Sequence, residues 1–374
     1  MRILYITTIS STMNAFFKPH IEMLVNHGHQ VDLACNDANW PIDAFYENLG
    51  CEFHHIDFSR NPLSPDNIKA FRQLKKVVTK GNYDIVHCHT PNAAVITRLV
   101  CRRLRRKTGL KVFYTAHGFH FYKGAPLLNW LVFYPIEKLC SRFTDKLITI
   151  NKEDFEIAQS KFKAGLTYYV PGVGIDLSRF ENVQVDYAAK RQEIGVPEDA
   201  FLVLSVGELN DNKNHQVVIN AIAKLQNPRV HYAIAGVGDK KEELTRLAYS
   251  LGVSEQLHLL GFRKDIPQLN CSADVFCFPS IREGLGLAAV EALACGVPVI
   301  AAENRGTRSF IKNGENGFMC PHNTADEFVA ALSELINDSQ ARTVMASSCA
   351  ATVTKFSVAN VLARMHDVYG LDEQ

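Results

Sequence analysis

Short apolar runs rich in β-branched residues alternate with longer amphipathic segments along most of the chain. In the first half the pattern predicts strands at residues 3–7, 30–35, 52–56, 85–88, 112–115, 146–150 and 167–170. The rhythm then restarts, with predicted strands at residues 201–206, 230–235, 257–260, 275–278, 297–301 and 317–320. Near-continuous apolar strands that alternate with helices are typical of parallel sheets covered on both faces. The sequence therefore predicts an α/β protein with two Rossmann-like domains.

The length of 374 residues also favours two domains, because a single core rarely grows beyond about 250–300 residues. Pro171, Gly172 and Gly174 interrupt the pattern and mark the join. We expect the first domain at residues 1–172 and the second at 173–355, with a C-terminal helix at about 356–374 that packs back on the first domain. Ligands of open parallel sheets bind at the carboxyl ends of strands, so the active site is expected in a cleft between two facing sheets.

Composition excludes several classes of protein. The formal net charge is +1, so the net charge does not indicate any particular class of binding partner. Ten cysteines are scattered without C-x-x-C pairs, which indicates free thiols in a reducing compartment. No window holds eighteen uninterrupted apolar residues, and the start lacks the features of a secretion signal. A cytoplasmic protein is expected.

The stretch "FPSIREGLGLAAVEALACGVPVIA" at residues 278–301 predicts a strand, a glycine-bearing turn and a short helix. Backbone N–H groups at such a helix start form an anion site, and Gly284 and Gly286 allow a ligand to approach closely. Glu283 and Glu291 flank this turn and are better suited to accept hydrogen bonds from hydroxyls than to contact a phosphate. The pattern favours a nucleotide-sugar; two surface glutamates on an ordinary turn are the alternative.

The same segment resembles the signature of glycosyltransferase family 4, whose members have the GT-B fold of two facing Rossmann-like domains. That signature is E-G-[aromatic or Leu]-G-L, a second Glu eight positions after the first, and A-x-A-x-G-x-P-V-I-A; Leu285 stands where Phe is commoner. The resemblance implies that Glu283 contacts the transferred sugar and Glu291 the ribose of the donor. It also implies that backbone around Gly286 and Leu287 holds the diphosphate.

The resemblance extends to "SVGELNDNKNHQVVINAI" at residues 205–222, where the family carries G-R-L and a Lys five residues after the Arg. Gly207 matches, and Lys213 at the Lys position implies an ammonium that stabilises the leaving diphosphate. An ordinary solvated lysine is the alternative. Glu208 occupies the usual Arg position. Either another cation substitutes for that Arg, or Glu208 turns away to pair with Lys213 or Arg282.

A third matching segment is "LLGFRKDIPQLNCSADVF" at residues 259–276. By resemblance, the backbone near Arg263 holds the nucleobase and Asp265 starts a helix. An exposed Arg after a strand and an N-cap Asp are expected in either case.

In the first domain, "YTAHGFHFYKG" at residues 114–124 ends a predicted strand with His117 and a glycine. The resemblance implies that the ring or carbonyl of His117 contacts the sugar near its anomeric centre. His120 and Tyr122 are expected on the acceptor side.

Weaker candidates complete the first domain. The turn after the first strand departs from the family's Gly-Gly phosphate loop, and Ser11 with its neighbours Ser10 and Thr12 is expected to offer hydroxyl and amide donors there. His20, His87 and His89 are further candidates. In His87-x-His89 the two rings share one face of a strand, which suits packing or a metal; no third ligand lies nearby in sequence, and no metal site is predicted.

Residues 69–111 contain twelve Lys or Arg against one acidic residue, Asp84. A solvated helix face is the plain interpretation. Because the net charge of the protein is close to zero, such an excess of basic residues in one segment also predicts contact with an anionic membrane surface. The adjacent "GFHFYKGAPLLNWLVFYP" offers apolar side chains for a lipid carrier. Nucleic acid is not expected, because no recognition motif accompanies the basic run.

The resemblance, carried also by "AHGFHFYKGAPLLNW" and "TDKLITINKEDFE", is to bacterial transferases of capsular and extracellular polysaccharide assembly. It implies a retaining, metal-independent hexosyltransferase without cofactor, peripheral on the inner face of the cell membrane. The donor would be a UDP-hexose or UDP-N-acetylhexosamine, and the acceptor a polyprenyl-diphosphate-linked saccharide.

Two further functions stay open at this point. A UDP-sugar epimerase of GT-B fold would share the donor contacts, and a non-catalytic nucleotide or lipid-binding protein would share the fold. A dehydrogenase is least favoured, because the first strand is not followed by G-x-G-x-x-G.

Overall fold

The computed structural model describes residues 1–122 and 124–371, and all structural statements refer to these ranges. The chain divides into two compact units. The first comprises Met1–Gly174 together with the segment that starts at Val358, and the second comprises Ile175–Ser357.

The first unit contains a seven-stranded parallel sheet with the order β3-β2-β1-β4-β5-β6-β7. Its strands are β1 (Arg2–Ile9), β2 (Gln30–Asn36), β3 (Phe53–His55), β4 (Ile85–His89), β5 (Lys111–Ala116), β6 (Lys146–Thr149) and β7 (Leu166–Tyr169). Every residue of β4 is buried, as expected for a strand covered on both faces. The strand order reverses between β1 and β4, which is where open α/β sheets bind ligands.

The helices of the first unit cover this sheet. They are α1 (Ser10–Phe16), α2 (Lys18–Asn26), α3 (Ala44–Asn48), α4 (Asp66–Gly81), α5 (Pro91–Thr108), α6 (Leu127–Ser141) and α7 (Lys152–Lys161). The segment after β1, expected to be a turn, is instead the short helix α1, and α2 follows it. Pro19 lies in the first turn of α2, where its fixed φ and missing N–H favour a new helix start.

The second unit contains a six-stranded parallel sheet with the order β10-β9-β8-β11-β12-β13. Its strands are β8 (Phe201–Val206), β9 (Val230–Ala235), β10 (Leu257–Gly261), β11 (Val275–Phe278), β12 (Val299–Ala302) and β13 (Gly317–Cys320). Its helices are α8 (Tyr187–Glu193), α9 (His215–Leu225), α10 (Lys241–Ser250), α11 (Ile266–Ser272), α12 (Leu287–Ala294), α13 (Ala325–Asn337) and α14 (Ser339–Val353). Both predicted parallel sheets are confirmed.

The chain ends with α15 (Val358–Tyr369), which packs against α2 of the first unit. The hydroxyl of Tyr369 lies 2.5 Å from Nδ1 of His87 on β4. The last helix therefore contributes to the core of the first unit.

All ten cysteines are free thiols in the structure. Within the described ranges, no helix combines the length and the apolar character that crossing a bilayer requires.

Candidate active site

The turn that precedes α12 depends on glycine. Gly286 is the N-cap residue with φ of +99°, and a Cβ at this position would lie 2.8 Å from Cε1 of Phe278. Phe278 is the last residue of β11, a strand buried throughout. The predicted strand, turn and helix are confirmed, with Gly284 and Leu285 in the turn and Leu287 as the first helical residue. The first N–H groups of α12 have no partner within the helix, so this helix start favours an anion.

Lys213 and Glu283 form an ion pair beside this turn. Lys213 Nζ lies 2.7 Å from Glu283 Oε1, and both side chains are largely buried, with exposed fractions of 22% and 18%. The stem of Lys213 crosses Gly207, where an added Cβ would lie 3.2 Å from Cε of the lysine. Nζ also lies 5.3 Å from the centre of the Phe278 ring. Glycine at position 207 thus lets the ammonium reach the turn, and Lys213 is not an ordinary solvated lysine.

Glu208 does not pair with Lys213, so that part of the sequence-based expectation is wrong. Its side chain is exposed and accepts a hydrogen bond of 2.9 Å from Asn210 Nδ2. Lys213 is held instead by Glu283, and Asn210 Oδ1 accepts from the backbone N–H of Lys213 at 3.0 Å. Arg282 is exposed and is not bound by Glu208 in the described structure. The carboxylate of Glu208 therefore turns toward solvent and Asn210.

Glu291 lies in the second turn of α12 and is half-buried. Burial raises the pKa of Glu291 to about 7, and the positive charge of Arg179 acts in the opposite direction. Arg179 belongs to a short 3-10 helix, Leu177–Phe180, that packs against α12. Arg179 was not predicted as a site residue, because the glycines and the proline of this segment indicate only a join between domains. A half-buried carboxyl group at this pKa switches between donating and accepting a hydrogen bond near neutral pH.

Arg263 follows β10, as predicted, but its guanidinium is engaged within the protein. It donates to both carboxylate oxygens of Asp265, at 2.8 and 2.6 Å, and it also pairs with Glu193. Lys190 lies 2.9 Å from the same Asp265 carboxylate. Asp265 is the N-cap residue of α11, as predicted, although its side chain makes no capping hydrogen bond and pairs with Arg263 and Lys190 instead. The predicted contact with the nucleobase involves the backbone near Arg263, and these side-chain ion pairs do not involve that backbone.

In the first unit, His117 follows β5 and contacts a second histidine. His117 Nε2 lies 3.1 Å from Nδ1 of His89, the last residue of β4. Burial lowers the pKa of His117 to about 4, and nearby His20 adds to this effect. The pKa of His89 is also lowered by burial, and its Nε2 is buried without a hydrogen-bond partner in the described structure. His117 is therefore neutral at physiological pH and suited to hydrogen bonding.

The other histidines of this cluster have structural partners. His87 bonds Tyr369 at 2.5 Å and Thr115 Oγ1 at 2.9 Å through its two ring nitrogens. The His87 and His89 ring centroids are 4.2 Å apart, which confirms that they share a face. His20 Nε2 lies 2.7 Å from the carbonyl oxygen of Val173. The packing interpretation of the His-x-His pair is the one that these contacts favour.

One group of possible metal ligands exists among the described residues: Asp32, Glu52 and His54. Arg2 pairs with Asp32 at 2.7 Å and lies 3.5 Å from Glu52. Because the Arg2 guanidinium already pairs with Asp32 and lies near Glu52, these contacts favour a structural ion pair.

The residues expected on the acceptor side lie near small cavities of the first unit. His120 stacks on Phe133 with 4.6 Å between ring centroids, and both line a cavity of about 210 Å³ between α5 and α6. The carbonyl of Tyr122 accepts from Trp130 Nε1 at 3.2 Å. Ser11, in α1, lines a separate cavity of about 400 Å³. The neighbouring Ser10 hydroxyl donates to the carbonyl of Trp40 at 2.5 Å and is used structurally, so the donor role expected of it is wrong.

The basic run is only partly a solvated surface. Arg98 is buried, pairs with Glu137 at 2.8 Å and lies over the ring of Tyr114. Arg105 pairs with Asp145 and donates to the carbonyl of Arg142 at 3.2 Å. The exposed basic side chains at the end of α5 are Arg102, Arg103, Arg106 and Lys107.

Helix α6 exposes an aliphatic face. The apolar face of α6 consists of Leu128, Leu131, Val132, Ile136 and Leu139, with exposed fractions of 68%, 65%, 41%, 39% and 51%. At 100° per residue these positions lie on one side of the helix. Between Asp84 and Asp145 the sequence contains one acidic residue, the buried Glu137. Helix α5, which carries the exposed arginines, packs against α6, and an exposed apolar face of this kind is a candidate interaction surface.

Two Rossmann-like parallel-sheet units, with a Lys–Glu pair at a glycine turn before a helix, define a glycosyltransferase of GT-B fold. Residues 186–349 match the family described as "Glycosyl transferases group 1", and residues 2–151 match "Glycosyl transferase 4-like". The chain is 38% identical to glycosyltransferase EpsD of Bacillus subtilis (strain 168), over 98% of this chain and 96% of the relative. The protein therefore belongs to this glycosyltransferase family.

Two other similarities are informative. The chain is 27% identical to the Escherichia coli "UDP-Gal:alpha-D-GlcNAc-diphosphoundecaprenol alpha-1,3-galactosyltransferase", over 93% of this chain and 90% of the relative. The crystal structure of Anabaena Alr3699/HepE in complex with UDP has a TM-score of 0.77 at 21% identity, covering 99% of this chain and 100% of that one. This structure shows the shared fold.

Proposed function

We propose that the protein transfers a hexose or N-acetylhexosamine from a UDP-sugar to a polyprenyl-diphosphate-linked saccharide, with retention of anomeric configuration. The observation that carries this proposal is the Lys213–Glu283 pair at the turn before α12. A cation, a carboxylate and a helix start together match a diphosphate with a hydroxylated sugar attached. The E. coli relative, named for a UDP-sugar donor and a diphosphoundecaprenol acceptor, supports the two substrate classes.

The proposed reaction is a front-face displacement. An acceptor hydroxyl oxygen forms a bond to the anomeric carbon on the face from which the diphosphate departs. The bond between the anomeric carbon and the diphosphate oxygen breaks, and that oxygen takes the hydroxyl proton; the products are the extended saccharide and UDP. Lys213 and the start of α12 stabilise the charge that develops on the leaving diphosphate. Glu283 orients the sugar through its hydroxyls, as His117 does by family resemblance.

We also propose that no metal and no cofactor takes part. In metal-dependent transfer a divalent cation neutralises the diphosphate. Here the ammonium of Lys213 and the N–H groups of α12 provide positive potential at the turn. We therefore expect that a chelator does not change the rate of sugar transfer.

The third part of the proposal is the cellular location of the protein. We place the protein peripherally on the cytoplasmic face of a bacterial cell membrane, in assembly of a capsular or extracellular polysaccharide. The exposed arginines of α5 and the apolar face of α6 support contact with anionic lipid. A lipid-linked acceptor would be presented at such a surface.

Calorimetric titration with UDP and with UDP-, GDP- and ADP-sugars tests the donor. We expect UDP-sugars to bind, and Glu291→Ala to weaken UDP and UDP-sugar alike, by about 10- to 100-fold for a lost charge-assisted hydrogen bond. Glu283→Ala should chiefly remove the additional affinity due to the sugar. Glu334→Ala, an exposed position on α13, is the control. Identical behaviour of the Glu283 and Glu291 variants would contradict the assigned roles, and no binding of any nucleotide-sugar would overturn the proposed function.

A further inference from the structure

Three cavities of the first unit adjoin one another at the carboxyl ends of its strands. The cavity of about 400 Å³ that Ser11 lines shares Ile9 and Arg60 with a second cavity of about 260 Å³. The second cavity borders the cavity of about 210 Å³ between α5 and α6, and the residues that line both are Pro62, Pro91, Asn92, His120 and Phe133. The three cavities therefore form one groove at the edge where open α/β sheets bind ligands.

Arg60 is the cation of this groove. Among the described residues it is the only Lys or Arg that lines any of the three cavities. Its side chain is exposed, and its guanidinium has neither a hydrogen bond nor an ion pair to any residue that the structure describes. Its backbone is fixed, because Asn92 Nδ2 donates to the carbonyl oxygens of Ser59 at 2.9 Å and of Arg60 at 2.8 Å. A guanidinium on a fixed backbone is available to an anion in the groove.

The start of α5 adds positive potential beside Arg60. The N-cap residue Thr90 has φ of +64°, an outlier for a β-branched residue, and backbone strain of this kind clusters at ligand sites. Its side chain does not cap the helix, because Thr90 Oγ1 accepts from the backbone N–H of Thr8 at 3.0 Å and lies 2.6 Å from Thr8 Oγ1. Pro91 and Asn92 in the first turn of α5 line the second cavity, so the positive end of this helix also favours an anion there.

The cavity between α5 and α6 suits a hydrocarbon chain. Its lining is mostly apolar and includes Val95, Ile96 and Ile136. Among the described residues that line it, the one acidic side chain is Glu137, which pairs with the buried Arg98 at 2.8 Å. Ile136 also belongs to the apolar face of α6, so the cavity is continuous with that face. The groove thus has a cationic part and an apolar part.

We propose that Arg60 and the start of α5 bind the diphosphate of the acceptor, and that the cavity between α5 and α6 receives the adjoining isoprenoid chain. This inference rests on the proposed function, because it adds a subsite for the acceptor named there. A guanidinium matches phosphate oxygens with two parallel N–H donors. A cation beside an apolar cavity fits an amphiphile that carries a diphosphate on a hydrocarbon chain.

Calorimetric titration of the full chain, saturated with UDP to occupy the donor site, tests this subsite with farnesyl diphosphate, farnesol and inorganic diphosphate. Farnesyl diphosphate should bind about tenfold more tightly than either of the other two. Arg60→Gln should weaken farnesyl diphosphate binding about 10- to 100-fold and leave farnesol and UDP affinity unchanged, because only the diphosphate contacts the guanidinium. Arg364→Gln, at an exposed position of α15 in the same unit, is the matched control. Equal affinity of wild type and Arg60→Gln for farnesyl diphosphate would overturn the inference.

Two further variants separate the chain from the diphosphate. Val95→Phe places a larger side chain in the cavity and should weaken farnesyl diphosphate binding about tenfold without changing the affinity for inorganic diphosphate. Arg60→Lys keeps the charge with fewer donors and should bind farnesyl diphosphate with an affinity between those of wild type and Arg60→Gln. Equal losses of both ligands in Val95→Phe, or wild-type binding of inorganic diphosphate as tight as that of farnesyl diphosphate, would overturn the chain subsite.

The same titrations distinguish failure of this inference from failure of the proposed function. A wild type that binds UDP but not farnesyl diphosphate would overturn the acceptor subsite alone. A wild type that binds neither UDP nor another nucleoside diphosphate would overturn the proposed function instead.

Discussion

At the scale of one residue, the ionisation of Glu291 should make both the stability of the fold and the affinity for UDP depend on pH. Its pKa is raised to about 7 by burial, from 4.5 in the unfolded chain. Because the folded state holds this proton more tightly, the free energy of unfolding falls as pH rises from about 4.5 to 7. A bound ribose hydroxyl that donates to the carboxylate favours the ionised form and so lowers the pKa on binding.

UDP affinity should therefore rise with pH most steeply below pH 7, where the slope approaches tenfold per pH unit, and should level off toward pH 8. Glu291→Gln cannot ionise and should bind UDP with little change over this range. Calorimetry in buffers of different ionisation enthalpy measures the proton released on binding. A wild type whose UDP affinity is flat from pH 6 to 8 would contradict the role of Glu291.

Site residues within one continuous segment were predictable from sequence. Glu283, Gly286 and Glu291 lie on one strand, turn and helix, so their spacing alone sets their positions. Arg305 and Arg179 were not predictable in this way. Arg305 Nε donates to the backbone carbonyl of Glu283 at 3.3 Å only because β12 pairs with β11, which places the loop after one strand beside the turn after the other. The pairing order of strands is a property of the folded sheet.

The same reasoning applies to the histidines of the first unit. His89 contacts His117 because β4 and β5 are neighbours with His89 opposite Thr115. Each histidine was visible in the sequence, but their hydrogen bond depends on strand order and register.

At the scale of elements, α6 is unusual because its apolar side faces solvent. A cavity lies between α6 and α5, and α5 carries the exposed arginines. The two helices together therefore offer aliphatic and basic side chains to a partner. Aliphatic side chains inserted at a headgroup boundary gain binding free energy in proportion to buried area, and arginines near anionic lipid add about 1 kcal/mol each.

The Leu128→Ser, Leu131→Ser, Leu139→Ser variant should sediment with phosphatidylglycerol vesicles at least tenfold less than the wild type, and bind UDP equally. Arg102→Glu, Arg103→Glu, Arg106→Glu should lose the salt-sensitive part of the same association. Arg105 is left intact because it pairs with Asp145. Tyr249→Ser with Val344→Ser, at exposed positions of the second unit, is the matched control. Unchanged sedimentation of the α6 variant would remove this surface as the membrane contact.

At the scale of the whole molecule, the two sheets were predictable because central strands such as β4, β9, β11 and β12 are buried on both faces and appear in the sequence as apolar runs. The short helix α1 was not, because the segment after β1 was interpreted as a turn, and Pro19 then separates α1 from α2 by favouring a new helix start. The fold class follows from a repeated pattern, whereas the element boundaries depend on local backbone geometry.

An activity assay of the whole chain distinguishes sugar transfer from epimerisation. Incubated with a UDP-sugar alone, a transferase should leave the sugar's configuration unchanged and release UDP only slowly, whereas an epimerase would convert it. With a polyprenyl-diphosphate-linked acceptor, NMR of the product should show the same anomeric configuration as the donor. Chelator should leave the rate unchanged, because in the proposed reaction Lys213 and the start of α12, and not a metal ion, stabilise the charge of the leaving diphosphate. Inversion of the anomeric centre would exclude front-face displacement, because attack on the side of the leaving group preserves configuration.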